Sequence, residues 1–357
     1  MSRTLQSDYM HWAKTQPPVT YRLSASGAPH VRLDAWPLTV ADLDLDGASH
    51  PRYPPLREAI AAHENVTSEQ VVAADGTSMA NMLALATLIV PGDEVLVEWP
   101  TYEPLLAAAR FLGAEIRRVK RDVDHAFRLD PAAVAAAMTP RTRLIVLTNP
   151  HNPSGAPASD DDLIAIGRIA AAGGARVLVD EVYRDAVPDT RSAALLGSAF
   201  VATNSLTKVY GLSGLRCGWV LAEPALAERM WRLNDLFGVN RAHQAERLAC
   251  FAFAHLPEIR TRLRQRLARN GALFDAFVAG RADLTCPASA YNLTAFPRWA
   301  GGDTARLDAL LRRDFDTGVV PGHWFEVPDR FRVGLAGDTA ALSAGLARLG
   351  AGLDALA

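Results

Sequence analysis

The sequence predicts an α/β protein. A three-layer α/β/α unit on a mostly parallel sheet spans residues 46–240, a smaller α+β unit spans 241–357, and an N-terminal arm, 1–45, joins the smaller unit. Three observations predict it. The chain has 357 residues, room for about two domains at roughly 100–200 residues each. From Pro55 to about Glu223, short apolar runs of strand composition alternate with helix-like runs, as expected of a parallel sheet covered on both faces. Beyond Glu223 helices dominate and strands become sparse.

The elements come in this order. The first fifty or so residues read as irregular, rich in Pro, Ser and Asp. Residues 55–65 have helical spacing, 71–75 read as a short strand and 78–90 as a strongly apolar helix. Strands are then predicted at 94–99, 114–120, 143–149, 175–181, 199–205 and 217–222. Helices fall between several of them, at 102–113, at the alanine-rich 132–138, and at 161–174. A long helix is expected over 256–279, then a Pro/Gly-marked segment at 287–302, a helix near 303–316, a strand near 330–335 and a closing helix from 338.

Composition excludes several functions. Thirty-seven basic against 39 acidic residues give a net charge of −2, without the clustered basic surplus that a nucleic acid or anionic membrane requires. An apolar content of 49% with 21% charged residues describes a chain able to bury a large core. No apolar run reaches the roughly 18 residues of a membrane span. Cys217, Cys250 and Cys286 are too few and too far apart for a disulfide framework or a CxxC zinc site, and read as buried thiols of a reducing, cytoplasmic compartment. Only Lys14, Lys120 and Lys208 are lysines. Arginine carries almost all the positive charge but cannot form an imine, so Lys208, inside an apolar, glycine-rich segment, invites a chemical explanation.

Ligands of doubly wound sheets sit at the carboxyl ends of strands. In this sequence those exits carry Asp75-Gly76-Thr77-Ser78, Trp99-Pro100-Thr101-Tyr102, Asn149-Pro150-His151-Asn152-Pro153-Ser154-Gly155, Asp180-Glu181-Val182-Tyr183 and Ser205-Leu206-Thr207-Lys208. The Gly76-Thr77-Ser78 turn offers free amides at a helix start, suited to a phosphate or to an ordinary N-cap. Gly76-x-Ser78-x-Ala80 also has the form of a relaxed hydrolase nucleophile elbow, with Asp180 and one of His243, His255 or His323 as partners. Ser205-x-x-Lys208 matches the SxxK of penicillin-recognising enzymes, but Lys14-Thr15-Gln16, the nearest approach to the required K-T-G, lacks the glycine.

Taken together, NPHNPSG (149–155), VDEVY (179–183), SLTKVYGLSGLRCGW (205–219) and RFRVG (330–334) resemble the fold-type I pyridoxal-phosphate enzymes, specifically the class I/II aminotransferases. The resemblance runs in order from about Tyr53 to Arg332. GLRCG with its following aromatic residue, and the RFRVGLAGD ending, also look somewhat like histidinol-phosphate aminotransferases, but the asparagine-rich N-terminal motif of that subfamily is missing. The resemblance implies that Lys208 holds pyridoxal 5′-phosphate as an internal aldimine and then serves as general acid/base. It implies that Asp180 keeps the pyridine nitrogen protonated, that Asn152 and Tyr183 hydrogen-bond the phenolic oxygen, and that Tyr102 stacks on the ring. The phosphate falls to the amides of Gly76, Thr77 and Ser78, to Ser205 and to Arg216. Arg332, with Asn152 beside it, takes the substrate's α-carboxylate, whereas Arg330 reads as a solvated surface charge and Thr207 and Ser213 as local hydrogen-bonders. Tyr53 matches a tyrosine that crosses a homodimer interface to the phosphate, although its spacing to Leu56-Arg57 is shorter than usual.

The reaction implied is amino-group transfer between an amino acid and a 2-oxo acid. The same electron sink also serves a lyase or decarboxylase, because the bond cleaved depends on geometry that motifs do not carry. A non-catalytic, ligand-sensing use of the fold would need a DNA-binding segment, and neither a helix-turn-helix nor a basic stripe is recognisable in the first fifty residues. Trp12, His30, Trp36 and Trp324 are candidates for the side-chain pocket.

Overall fold

The structure is a computed structural model describing residues 5–32, 36–43, 52–123, 125–288 and 291–357. The boundary expected between residues 45 and 46 lies outside them. Among the described residues seven strands form one sheet: β1 (Val71–Asp75), β2 (Glu94–Trp99), β3 (Glu115–Lys120), β4 (Thr142–Thr148), β5 (Arg176–Asp180), β6 (Phe200–Ser205) and β7 (Cys217–Leu221), in the order β1-β7-β6-β5-β4-β2-β3. The neighbours from β3 to β6 run parallel, while β7 is antiparallel to both β6 and β1. This reversal matters for the site, because the start of β7 joins the carboxyl ends of the other strands on one edge.

β2 and β4 to β7 are buried along nearly their whole length, as expected of strands covered on both faces. The predicted strands are all present, with ends moved by a residue or so.

Ahead of the sheet come α1 (Asp8–Thr15) and α2 (Pro54–Glu64). The layers over the sheet comprise α3 (Gly76–Leu88), α4 (Glu103–Phe111), α5 (Pro131–Ala137), α6 (Asp160–Ala172) and α7 (Pro224–Asn234). One apolar cluster joins α3, α4 and α7 to one face of the sheet, and another joins α5 and α6 to the opposite face.

Two expectations about helices are corrected. Residues 8–15 are helical rather than irregular: the Ser7 side chain caps the helix by accepting from Met10 N–H, Asp8 and Lys14 suit the two ends of its dipole, and Tyr9 is buried. The long helix α8 spans His243–Ala279, beginning well before Pro257. A proline suits a helix start, but here one face of the helix, including Ala249, Ala252 and Leu256 ahead of Leu263 and Leu267, is buried in the main core, and that burial carries it through the lost backbone bond.

The C-terminal part adds β8 (Leu284–Thr285), β9 (Thr294–Ala295), β10 (Arg298–Trp299), α9 (Thr304–Asp314), β11 (Val320–Pro321), β12 (Phe331–Gly334) and α10 (Thr339–Asp354). β12 pairs antiparallel with β11 and β9. The N-terminal segment lies along this second sheet: Gly318 N–H donates to Tyr21 O and Gly334 N–H to Leu23 O. Of the free cysteines only Cys217 is fully buried; Cys250 and Cys286 are half-buried, correcting the uniform burial expected. Among the described residues no helix is long and apolar enough to cross a membrane.

Candidate active site

The polar strand exits converge on one edge of the main sheet. Asp180 ends β5 and is 5% exposed. Its Oδ2 accepts from Asn81 Nδ2 at 2.8 Å and its Oδ1 from Val182 N–H at 3.1 Å; Thr203 Oγ1 fixes Asn81 by donating to its Oδ1. Burial pushes the carboxyl up to about 6, against the pull of those two donors and of Lys208 nearby. Asn81, on α3 one turn below Gly76-Thr77-Ser78, belongs to no strand exit; only the helical spacing from that turn could have pointed to it.

Lys208 comes just after β6. Loss of hydration, and after it the field of Arg332, brings its ammonium down to about 8 although Asp180 opposes the shift. Its Nζ donates to Ser26 Oγ at 2.9 Å. Tyr183, buried beside them, is pushed up to about 12 chiefly by burial and stays a protonated phenol at neutral pH. The side chains of 180, 183 and 208 thus face one another across the exits of β5 and β6.

A second focus lies at the start of α3. Asp75 does not cap this helix, so its first amides are not satisfied by the residue that normally would do so. Arg216 NH2 donates to Asp75 O at 2.9 Å, and the guanidinium lies so close over Gly76 that a Cβ there would be 3.0 Å from Arg216 Cζ. Gly76 also has φ +78°, which favours glycine. Thr77 Oγ1 donates to the buried Ser205 Oγ at 2.8 Å, while the Ser78 side chain is exposed. Arg241, which no motif marks, braces the focus by bonding Asp75 Oδ1 at 2.9 Å and Arg216 O at 2.7 Å. An uncapped helix start with a cationic fork has the chemistry to receive a phosphate.

The third focus comes from the smaller sheet. Arg332 on β12 is 1% exposed. Its NH1 donates to Asn152 Oδ1 and its NH2 to the Tyr9 hydroxyl, both at 3.0 Å, while Nε is buried without a partner. Among the described residues no carboxylate pairs with it. Asn152 is fixed from behind, since its N–H donates to Thr148 Oγ1, which donates to the fully buried Glu98, itself paired with Arg121 at 2.6 Å. Around the guanidinium stand aromatic rings: Phe325 at 5.3 Å, and Tyr9 in contact with Trp12, Tyr102 and Trp324. Tyr102 OH reaches Met10 Sδ at 3.4 Å.

Of the pocket candidates, Trp12 and Trp324 belong to this wall. His30 instead meets Ser213, and Trp36 stacks on His255 of α8. Arg330 is not a solvated surface charge: it is half-buried, donates to Phe296 O at 3.0 Å and lies over Phe127, because the β12 start is packed against that aromatic cluster. Thr207 N–H donates to Ser205 Oγ, a local role. Tyr53 meets His243 edge-on and shares a small cleft with Arg57, Val239 and Arg241. The histidines proposed for a hydrolase triad pack elsewhere: His243 on Tyr53, His255 on Trp36 and Phe251, His323 on Trp324.

The sequence model of the aminotransferase class I and II family matches residues 43–349. The chain is 32% identical over 300 residues to capreomycidine synthase of Streptomyces vinaceus, covering 82% of this chain and 77% of that protein. It is 32% identical over 298 residues to an aromatic amino acid aminotransferase of Rhodococcus jostii (strain RHA1), covering 79% and 80%. A PLP-dependent aminotransferase from Streptococcus suis 89-1591 superposes with a TM-score of 0.91 at 26% identity, over 100% of this chain and 99% of that one. Motifs, fold and relatives agree: the chain belongs to the class I and II aminotransferases, which transfer amino groups with pyridoxal 5′-phosphate.

Proposed function

We propose that this chain transfers the amino group of an amino acid with an apolar or aromatic side chain to a 2-oxo acid, with Lys208, Asp180 and Arg332 as its working residues. The observation that carries the reading is the buried, carboxylate-free guanidinium of Arg332 within the electrostatic reach of Lys208. A buried cation held only by neutral oxygens is matched by a substrate carboxylate, which a planar fork receives in a bidentate pair.

The residues fit the cofactor. The Gly76, Thr77 and Ser78 amides, Ser205 and Arg216 would take its phosphate; Asp180 would take the ring nitrogen; Asn152 and Tyr183 would take the phenolic oxygen; Tyr102 would lie on the ring face. Bound there, pyridoxal phosphate supplies an electron sink for charge developing at the substrate's Cα. Lys208 then carries the proton: with an amine brought down to about 8, a substantial fraction is neutral near pH 7.5 and able to remove a proton from Cα and return it one position away. Asp180, held by Asn81 and Val182, keeps a negative charge aimed at the ring nitrogen. Tyr183 as a neutral phenol donates a hydrogen bond without adding charge.

The aromatic wall of Tyr9, Trp12, Trp324 and Phe325 beside Arg332 supports an apolar or aromatic side chain. A second reading, in which the site cleaves a different bond, has its support in the similarity to capreomycidine synthase.

We assign the chain to the cytoplasm and to a homodimer. Leu236, Phe237 and Val239 are exposed on the loop after α7, an apolar surface suited to a second copy, and the cleft that Tyr53 shares with Val239 supports assigning Tyr53 to the partner's phosphate. The large domain is assigned to 46–240 and the small one to 241–357 with the arm.

Borohydride reduction of the holoenzyme should fix the cofactor on Lys208, and phenylalanine, tyrosine or leucine without oxo acid should convert it stoichiometrically. An adduct on Lys14 or Lys120 refutes the assignment, and continuous product release from amino acid alone favours the second reading.

A further inference from the structure

We propose that Ser26 is a positioning residue of the transamination site: its hydroxyl, bonded to Lys208 Nζ, fixes the direction in which the lysine amine points. The inference rests on the assignment of Lys208 above. Ser26 belongs to none of the strand exits. It enters from the N-terminal segment, and its Oγ accepts from Lys208 Nζ at 2.9 Å.

The segment that carries Ser26 is pinned on both sides. Ala28 N–H donates to Lys208 O at 2.7 Å, and Gly334 N–H to Leu23 O at 2.6 Å. Arg332 NH2 reaches Ser24 O at 3.4 Å. Gly27 lies against Lys208 so closely that a Cβ would be 3.2 Å from Lys208 O, and a Cβ on Gly334 would run into Ala25 O. Backbone contacts on either side of residue 26 therefore set its position independently of the hydroxyl, and the hydroxyl is presented to the lysine amine.

The chemistry needs such a contact. An amine on four rotatable bonds spends its time in many directions, and only one presents its lone pair to Cα. A hydroxyl accepts one amine N–H, so one N–H direction is fixed and the lone pair is left for the substrate. When the amine takes the Cα proton it becomes an ammonium with three N–H groups, one still on Ser26. When it gives a proton back the neutral amine is restored. Ser26 keeps its own proton throughout, and no proton is routed through it.

An acceptor on an amine N–H favours the charged form, so its removal lowers the pKa. The test uses trace acetylation of the cofactor-free protein with acetic anhydride across pH 6–11, read by mass spectrometry at each lysine; with only Lys14, Lys120 and Lys208 to resolve, every site is assigned. In Ser26→Ala the Lys208 midpoint should fall by about 0.5–1 unit with Lys14 and Lys120 unmoved, and Ser26→Thr, which keeps the hydroxyl, should restore it. In the holoenzyme, S26A should retain the borohydride adduct on Lys208, lose about 10-fold in kcat with the amino-acid KM within about twofold, and show a larger Cα-deuterium isotope effect. An unmoved Lys208 midpoint in S26A overturns the proposal whatever the rate does. A wild-type protein with no adduct on Lys208 instead sinks the functional reading, and the acetylation titration distinguishes that failure from this one.

Discussion

Replacing Asp180 by asparagine should separate the stability of the cofactor-free protein from its chemistry. The carboxyl is 5% exposed, and burial raises its pKa from 3.8 to about 6 despite the Asn81 and Val182 donors and the Lys208 charge. A rise of roughly two units corresponds to about 3 kcal/mol at 1.36 kcal/mol per unit. Between about pH 4 and pH 6 the folded chain holds a proton that the unfolded chain has released. Stability therefore falls as pH rises through that window, and the full cost of the buried charge is present at pH 7. Asparagine has nothing to titrate. Its single carbonyl can serve only one of the two donors, which adds a pH-independent offset of about 1 kcal/mol. In urea unfolding of the cofactor-free proteins, the difference between wild type and D180N should therefore move by up to about 3 kcal/mol in favour of D180N from pH 4 to pH 7. With pyridoxal phosphate bound the ranking should reverse, because the anion then has its cationic partner, and transamination by D180N should fall by about 100-fold or more. A wild-type-minus-mutant difference that stays flat from pH 4 to pH 7 would refute the burial argument.

Other perturbations probe the remaining parts. In Gly218→Ala the new Cβ would be 2.7 Å from Gly76 Cα, so β7 and the start of α3 must part; cofactor affinity should drop at least 10-fold by fluorescence titration, with about 1–3 kcal/mol lost in unfolding. Tyr9→Phe removes one of the three oxygens that accept from the Arg332 amino groups, and steady-state kinetics should show the amino-acid KM changed severalfold with little change in kcat. Glu98→Gln leaves Arg121 without its buried counter-charge, and urea unfolding should register a loss of about 3–5 kcal/mol.

The main sheet was legible because its strands are apolar runs bounded by polar exits, and each exit that carries chemistry lies directly after such a run. The residues proposed for the cofactor stand out in the sequence for the same reason: Asp180, Lys208, Asn152 and Arg216 each lie within a few residues of a strand terminus. Tyr9, Ser26, Asn81 and Arg241 were not legible. Asn81 and Arg241 sit on or beside helices whose orientation tertiary packing decides. Tyr9 and Ser26 come from a stretch that reads as irregular; Ser26 is carried to the site by residues 21–23, which bond to residues 316–318 and to Gly334 of β12, a long-range pairing with no local signature, and Tyr9 by the burial of its face of α1. α1 itself was missed because eight residues give too little periodicity to outweigh a polar context, even with Ser7 as a cap.

The proposed substrate end of the site also acts on the proposed reacting end through the charge of Arg332. After burial, the field of Arg332 is the next largest influence depressing the Lys208 amine. A carboxylate seated on Arg332 cancels most of that field, so the amine of the occupied site is a stronger base than that of the empty one. Linkage makes the effect reciprocal: protonating Lys208 adds a second positive charge beside Arg332 and favours carboxylate binding to the same extent. Arg332→Leu imitates the neutralised state while abolishing the pair. Trace acetylation of the cofactor-free R332L protein should therefore place the Lys208 midpoint above the wild-type value, whereas kcat/KM should fall about 10- to 100-fold for loss of a charged hydrogen-bonded contact. The two changes have opposite meanings for catalysis, a better base on a substrate no longer held, and only a field acting from Arg332 onto Lys208 produces both. A Lys208 midpoint that falls or stays in place in R332L, with the fold intact, would show that the two charges do not communicate across the site.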